Sequence, residues 1–136
     1  MPIRTDLALL VLRVVTGLTF MVHGHAKLFA MGHEGVTGFF TSLGIPLPGI
    51  AAWGVTILEF FGGLALAAGF LTRLLGVLFC IDMVGAIGFA LWPKGFMGGF
   101  EFELLLGTAS IALAFAGGGA YSLDSRLVAR AKRADG

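Results

Sequence analysis

The chain has 136 residues, 57% of them hydrophobic and only 12% charged, with a formal net charge of +1 and a mean hydropathy of +0.96. A water-soluble domain carries about 25% charged residues, so this composition excludes a soluble globular protein, and the absence of a basic patch excludes nucleic acid as a partner. The single cysteine, Cys80, excludes an internal disulfide and a CxxC redox pair.

Four apolar stretches of membrane-crossing length predict an all-α membrane protein, a single domain over residues 1–136. The first span covers about residues 7–29. Its start resembles a secretory leader, but Arg13 splits the apolar part and the run continues to Ala30, which favours a retained helix. A connection follows, Ala30 to Gly49, in which Phe39, Phe40, Leu43 and Ile45 form one apolar face. It predicts a short interfacial helix between helices 1 and 2, ended by Pro46 and Pro48. This helix is either a lid or a plain cap.

The second span, about 50–71, carries one carboxylate, Glu59, near its middle. A charge at that depth costs roughly 3 kcal/mol on insertion scales and survives where it faces the bundle interior, a partner or a ligand. Small residues follow it, with Gly63 and Ala67 one turn apart, a spacing that lets helices approach closely. The third span, about 74–92, comes after a two-residue link, Thr72-Arg73, and carries Asp82. The fourth covers about 101–116 and opens with Glu101 and Glu103, which suit the positive end of a helix dipole. Gly117-Gly118-Gly119 stops it, and a basic tail, 122–136, ends the chain. Its cations suit anionic lipid, and its plainer reading is a topology anchor. Short links favour antiparallel neighbours, so a four-transmembrane-helix bundle is expected.

Lys and Arg placement sets the expected orientation. Arg4, Arg73, Arg126, Arg130, Lys132 and Arg133 fall on one side, so both termini are expected in the cytoplasm. At about 1.5 Å per residue, Arg13, Asp82 and Glu59 lie about 9, 12 and 18 Å from that side. Arg13 is therefore expected to pair with Asp82, Glu59 or both, either for a functional purpose or to fix helix register. His23 and Lys27 share a helix face and, with Glu103, mark a polar mouth at the other side or an interfacial rim. Arg13, His23, Lys27, Glu59, Asp82 and Glu103 are the candidates for a ligand site or proton pathway, arranged as one polar column. No metal box is present. Phe60 and Phe61 beside Glu59 suit a quinone ring as well as plain packing.

The ordered set Arg13-x-x-x-Gly17, His23-Gly24-x-x-Lys27, Phe40-x-x-Leu43-Gly44-Ile45-Pro46-x-Pro48, Glu59-Phe-Phe-Gly62-Gly63, Thr72-Arg73, Glu103 and Gly117-Gly-Gly-x-Tyr121-Ser-Leu-Asp124 resembles the DoxX family. The resemblance implies a bacterial-type inner-membrane protein, a quinone-linked oxidoreductase component in redox or oxidative-stress metabolism. It carries a functional role onto Arg13, His23, Lys27 and Glu59. A quinone as cofactor, the lipid bilayer, redox partner proteins and a homo-oligomer are the partners considered. A non-enzymatic scaffold or a small-molecule or lipid transporter are the alternatives.

Overall fold

A computed structural model describes residues 2–136. Among them the chain is helical with no strand, and four helical stretches are long and apolar enough to cross a membrane: Ile3–Ser42, Pro48–Ala68, Thr72–Lys94 and Phe96–Ala116. The chain is an all-α, multi-pass membrane protein. Val11, Val15, Val22, Ile81, Val84, Leu105 and Phe115 are exposed on the outside of the bundle, as a lipid solvent allows.

The first stretch is α1 (Ile3–His25), a wide π-helical turn (Ala26–Met31) and α2 (Gly32–Ser42). It differs from a span ending near residue 29, because helical hydrogen bonding runs on to Ser42. The bend sits at Gly32, whose φ of 71° and ψ of 162° no side-chain-bearing residue adopts easily. There α2 turns to pack on α3 (Pro48–Ile57), burying Val36 and Phe40 against Ala52. This is the short helix expected between helices 1 and 2. Its expected apolar face is divided, since Phe40 is buried and Phe39 is half exposed.

The second span continues through a π turn (Leu58–Gly62) into α4 (Gly63–Ala68). Gly69, Phe70 and Leu71 link it to α5 (Thr72–Ala86). Thr72 and Arg73 thus belong to the first turn of α5, because Asp124 accepts hydrogen bonds from Leu71 N at 2.8 Å and Thr72 N at 2.9 Å and caps the helix there. A further π turn (Ile87–Leu91) and a 3₁₀ turn (Trp92–Lys94) end the third span. After another irregular turn (Phe96–Phe100), α6 (Glu101–Ala116) runs back, and α7 (Leu123–Ala134) follows with Ser122 as its N-cap.

Around the bundle the second span packs on α1, α1 on α6, and α6 on α5. The contact of α1 with the second span depends on small residues. A Cβ at Gly17 would lie 2.5 Å from Ala67 N and Gly63 O, and one at Gly24 would collide with the backbone of Glu59 and Phe60. This close approach sets the register that brings Lys27, three residues beyond Gly24, onto Glu59. Phe20 and Phe79, both fully buried, stack at 3.8 Å across the core, with Leu66, Leu75 and Leu113 in the same apolar cluster.

Candidate functional site

The polar groups inside the bundle form two separate clusters on either side of the Phe20–Phe79 core. The cluster near the chain termini is centred on Arg13, which is only 2% exposed. Its Nε donates to Gly118 O at 3.1 Å, its Nη2 to Tyr121 O at 2.8 Å, and its Nη1 to Ala67 O. Asp6 accepts from Ala120 N at 2.9 Å, and Asp124 N donates to Gly69 O at 2.9 Å. Arg13 therefore ties α1, the end of α4 and the segment after α6 into one knot.

The expected pairing of Arg13 with Asp82 or Glu59 does not occur. Helical side chains lean toward the N-terminus of their own helix. Arg13 on α1 therefore leans toward the terminal end, and Glu59, on the antiparallel second span, leans toward the other. The lean widens the depth gap between Arg13 and Glu59, and Asp82 faces the far cavity instead of the Arg13 knot. The polar column is likewise interrupted, because the buried phenylalanine pair stands between its two halves.

At the far end Lys27 Nζ meets Glu59 Oε2 at 2.6 Å, with the Glu59 side chain only 4% exposed. Both residues sit in π turns, Lys27 in Ala26–Met31 and Glu59 in Leu58–Gly62. Such turns widen a helix locally and recur at functional sites. The pair lines a cavity of about 440 Å³, within the roughly 300–1,000 Å³ usual for small-molecule sites. Asp82 and Glu103 face the same space, and His23 stands at its edge. Five of the six candidate residues are thus brought together, and Arg13 is excluded. Phe20, Phe39, Phe40, Leu43, Val55 and Met83 are among the apolar walls, with α2 covering one side.

Two carboxyl oxygens in this cavity, Asp82 Oδ2 and Glu103 Oε2, are buried without a hydrogen-bond partner. Lys27 thus pairs with Glu59, while Asp82 and Glu103 line the same cavity with one oxygen each left open.

Glu101 and Glu103, alike in sequence, separate here. Glu101 accepts from Gly98 N at 3.0 Å and serves the helix start, whereas Glu103 enters the cavity. His25 lies outside it, beside the rings of Phe29 and Phe60. Sequence reasoning did not single out His33, which stacks on Trp53 at 4.2 Å and leaves Nδ1 buried and unpartnered. The i, i+4 spacing of His33 and Thr37 was the available signal, since the two rest 3.4 Å apart. Among the described residues no three His, Cys, Asp or Glu gather as a metal site would require.

The buried lysine–glutamate pair, one turn beyond the Gly24 contact, coincides with the region matched by a known family: residues 8–92 match DoxX. The chain belongs to the DoxX family. Among its relatives, CatD of Bacillus subtilis, provisionally named an oxidoreductase, is 40% identical over 119 residues, covering 88% of this chain and 86% of CatD. The inner membrane protein YphA of Escherichia coli is 34% identical, covering 87% of this chain and 89% of YphA. The membrane protein Rv3486 of Mycobacterium tuberculosis, named as uncharacterized, is 36% identical over 88% of this chain and 81% of its own length. No solved structure matches the chain.

Proposed function

We propose that this DoxX protein is a quinone-linked component of membrane redox metabolism, and that the quinone ring sits in the cavity beside Lys27, Glu59, Asp82 and Glu103. The observation that carries this reading is the pair of buried, unpartnered carboxyl oxygens in an otherwise apolar cavity. A buried polar atom left without a partner costs about 1–3 kcal/mol, so the site is built for something that supplies one. The oxidoreductase name of CatD supports the redox half of the reading.

The residues fit such a ring. Phe20, Phe40 and Met83 present apolar surface to its faces. Lys27 donates to a ring oxygen while Glu59 holds its ammonium in place. Asp82 or Glu103, when protonated, donates to a ring oxygen and releases the proton as charge develops there. When bound, a quinone supplies the electron-accepting chemistry, and the chain supplies position, an apolar enclosure and protons. His23 at the cavity edge connects the carboxyl groups to the surface. The Lys and Arg distribution supports an orientation with both termini in the cytoplasm, which puts this cavity in the non-cytoplasmic half of the bilayer.

The test is a titration of purified protein in detergent with menaquinone or ubiquinone, read by quenching of Trp53 and Trp92 fluorescence. Saturable binding that weakens on the order of tenfold in Glu59→Gln supports the reading. A wild type that binds neither quinone, and instead co-purifies with a soluble enzyme, favours the scaffold alternative.

A further inference from the structure

We infer that the cavity is entered sideways from the membrane, through a gap between the second and third spans beside α2, so that its ligand is a lipid-dissolved molecule with a polar head and an apolar chain. This rests on the reading of the cavity as a ligand site and adds its route and substrate class.

The gap follows from how the two spans are joined. The three-residue link Gly69 to Leu71 holds them together at the terminal end, where α4 packs on α5. The turn Leu58–Gly62 still touches α5, but beyond it α3 has no comparable packing on the third span. α2 packs on α3 and on the preceding turn, with no comparable packing onto α5. One side of the opening is a stripe on the third span, Ile81, Gly85 and Phe89, one turn apart and all lining the cavity. The other side is Phe39 and Leu43 at the end of α2. Ile81 is 62% exposed, Phe89 49% and Phe39 48%. This stripe and the α2 residues facing it carry no charge, while Lys27, Glu59, Asp82 and Glu103 lie within. On the opposite side of the bundle the His23 and Phe102 rings meet at 5.8 Å and bridge α1 to α6.

Gly85 keeps the opening clear. A Cβ built there meets nothing within 4 Å, although this glycine lines the cavity. Several other helical glycines, such as Gly17, Gly24, Gly63 and Gly76, are pressed against neighbouring backbone. Gly85 serves no such contact. A side chain at position 85 would project into the opening without disturbing helix packing, and a ligand's apolar chain lying across the glycine would use the space its missing side chain leaves.

The experiment uses the full chain in phosphatidylcholine vesicles, with Trp53→Phe and Trp92→Phe, and Phe40→Trp as a reporter in the cavity wall. Phospholipids brominated on their acyl chains are expected to quench the reporter, whereas iodide in the water is not. Gly85→Phe is expected to cut the acyl-chain quenching at least twofold, and Gly85→Leu by less. Quenching by iodide instead, or acyl-chain quenching indifferent to Gly85→Phe, overturns the lateral route. A second arm, on the protein with Trp53 and Trp92 intact, compares a long-chain quinone with its tail-less parent. Gly85→Phe is expected to weaken the long-chain molecule at least tenfold and leave the tail-less one within twofold; equal losses overturn the inference. Acyl-chain entry in a protein that binds neither quinone would leave the route standing and defeat the quinone reading alone.

Discussion

The two ends of this bundle treat buried ionisable groups in opposite ways. At the terminal end the guanidinium of Arg13 has a carbonyl acceptor for each of its three nitrogens, and Asp6 and Asp124 cap backbone N–H groups. At the far end, Asp82 and Glu103 each leave a buried oxygen with no donor. The first pattern is what a fold needs in order to close: without water in lipid, backbone groups freed by a turn must find partners within the protein. The second adds nothing to the fold, and it is the feature on which the proposed ligand site rests. The contrast shows that charge at membrane depth is not enough to indicate function. What separates a strut from a site is whether its hydrogen-bonding capacity is already spent.

Substitutions that remove one end's partners should break this contrast or sharpen it. The largest stability effect is expected from Arg13→Ala. Three carbonyls, one buried and two partly buried, lose their donor, at about 1–3 kcal/mol each, for a total of about 3 kcal/mol or more. Denaturant unfolding in detergent would measure it. Arg13→Lys should recover only part, because an ammonium lacks the planar fork that reaches three acceptors. Next comes Lys27→Met, which strands the buried Glu59 carboxylate. A fully buried pair broken this way costs 3–5 kcal/mol, and Lys27 is 22% exposed, so about 2–3 kcal/mol is expected from the same unfolding assay.

A smaller loss, about 1 kcal/mol, is expected for Asp124→Ala, the cap at the start of α5. Hydrogen exchange of the Leu71 and Thr72 amides would localise it. The smallest stability change belongs to Asp82→Asn, within about 0.5 kcal/mol, since its orphaned oxygen contributes little to the fold. The same substitution should weaken quinone binding on the order of tenfold, about 1.4 kcal/mol. If Asp82→Asn unfolds the protein as badly as Arg13→Ala, the far end is a strut after all and the contrast fails.

Much of the site was legible along the chain. Glu59, Lys27, Asp82, His23 and Glu103 announced themselves because ionisable groups in apolar helices are few, and the structure gathers all five at one cavity. Arg13 was just as conspicuous and was misplaced. Depth along a helix axis reports where a Cα lies, whereas the lean of a long side chain decides where its charge goes. Glu101 and Glu103 could not be told apart because both fit a helix N-terminus. Only the packing of α6 against α1 and α5 turned one of them inward.

Composition and hydropathy along the chain already place this protein in a membrane, with four spans and several ionisable groups at membrane depth. Those properties follow from composition and periodicity, which act locally and leave a trace at every residue. The tertiary structure alone decided which charges are finished and which are open, because a hydrogen-bond partner may lie a hundred residues away, as Gly118 does from Arg13. It also decided that the second and third spans part beyond the turn holding Glu59, toward α2. That separation depends on the link at Gly69 to Leu71, the bend at Gly32 and the small-residue contact at Gly24 acting together, and no single stretch of chain records their sum.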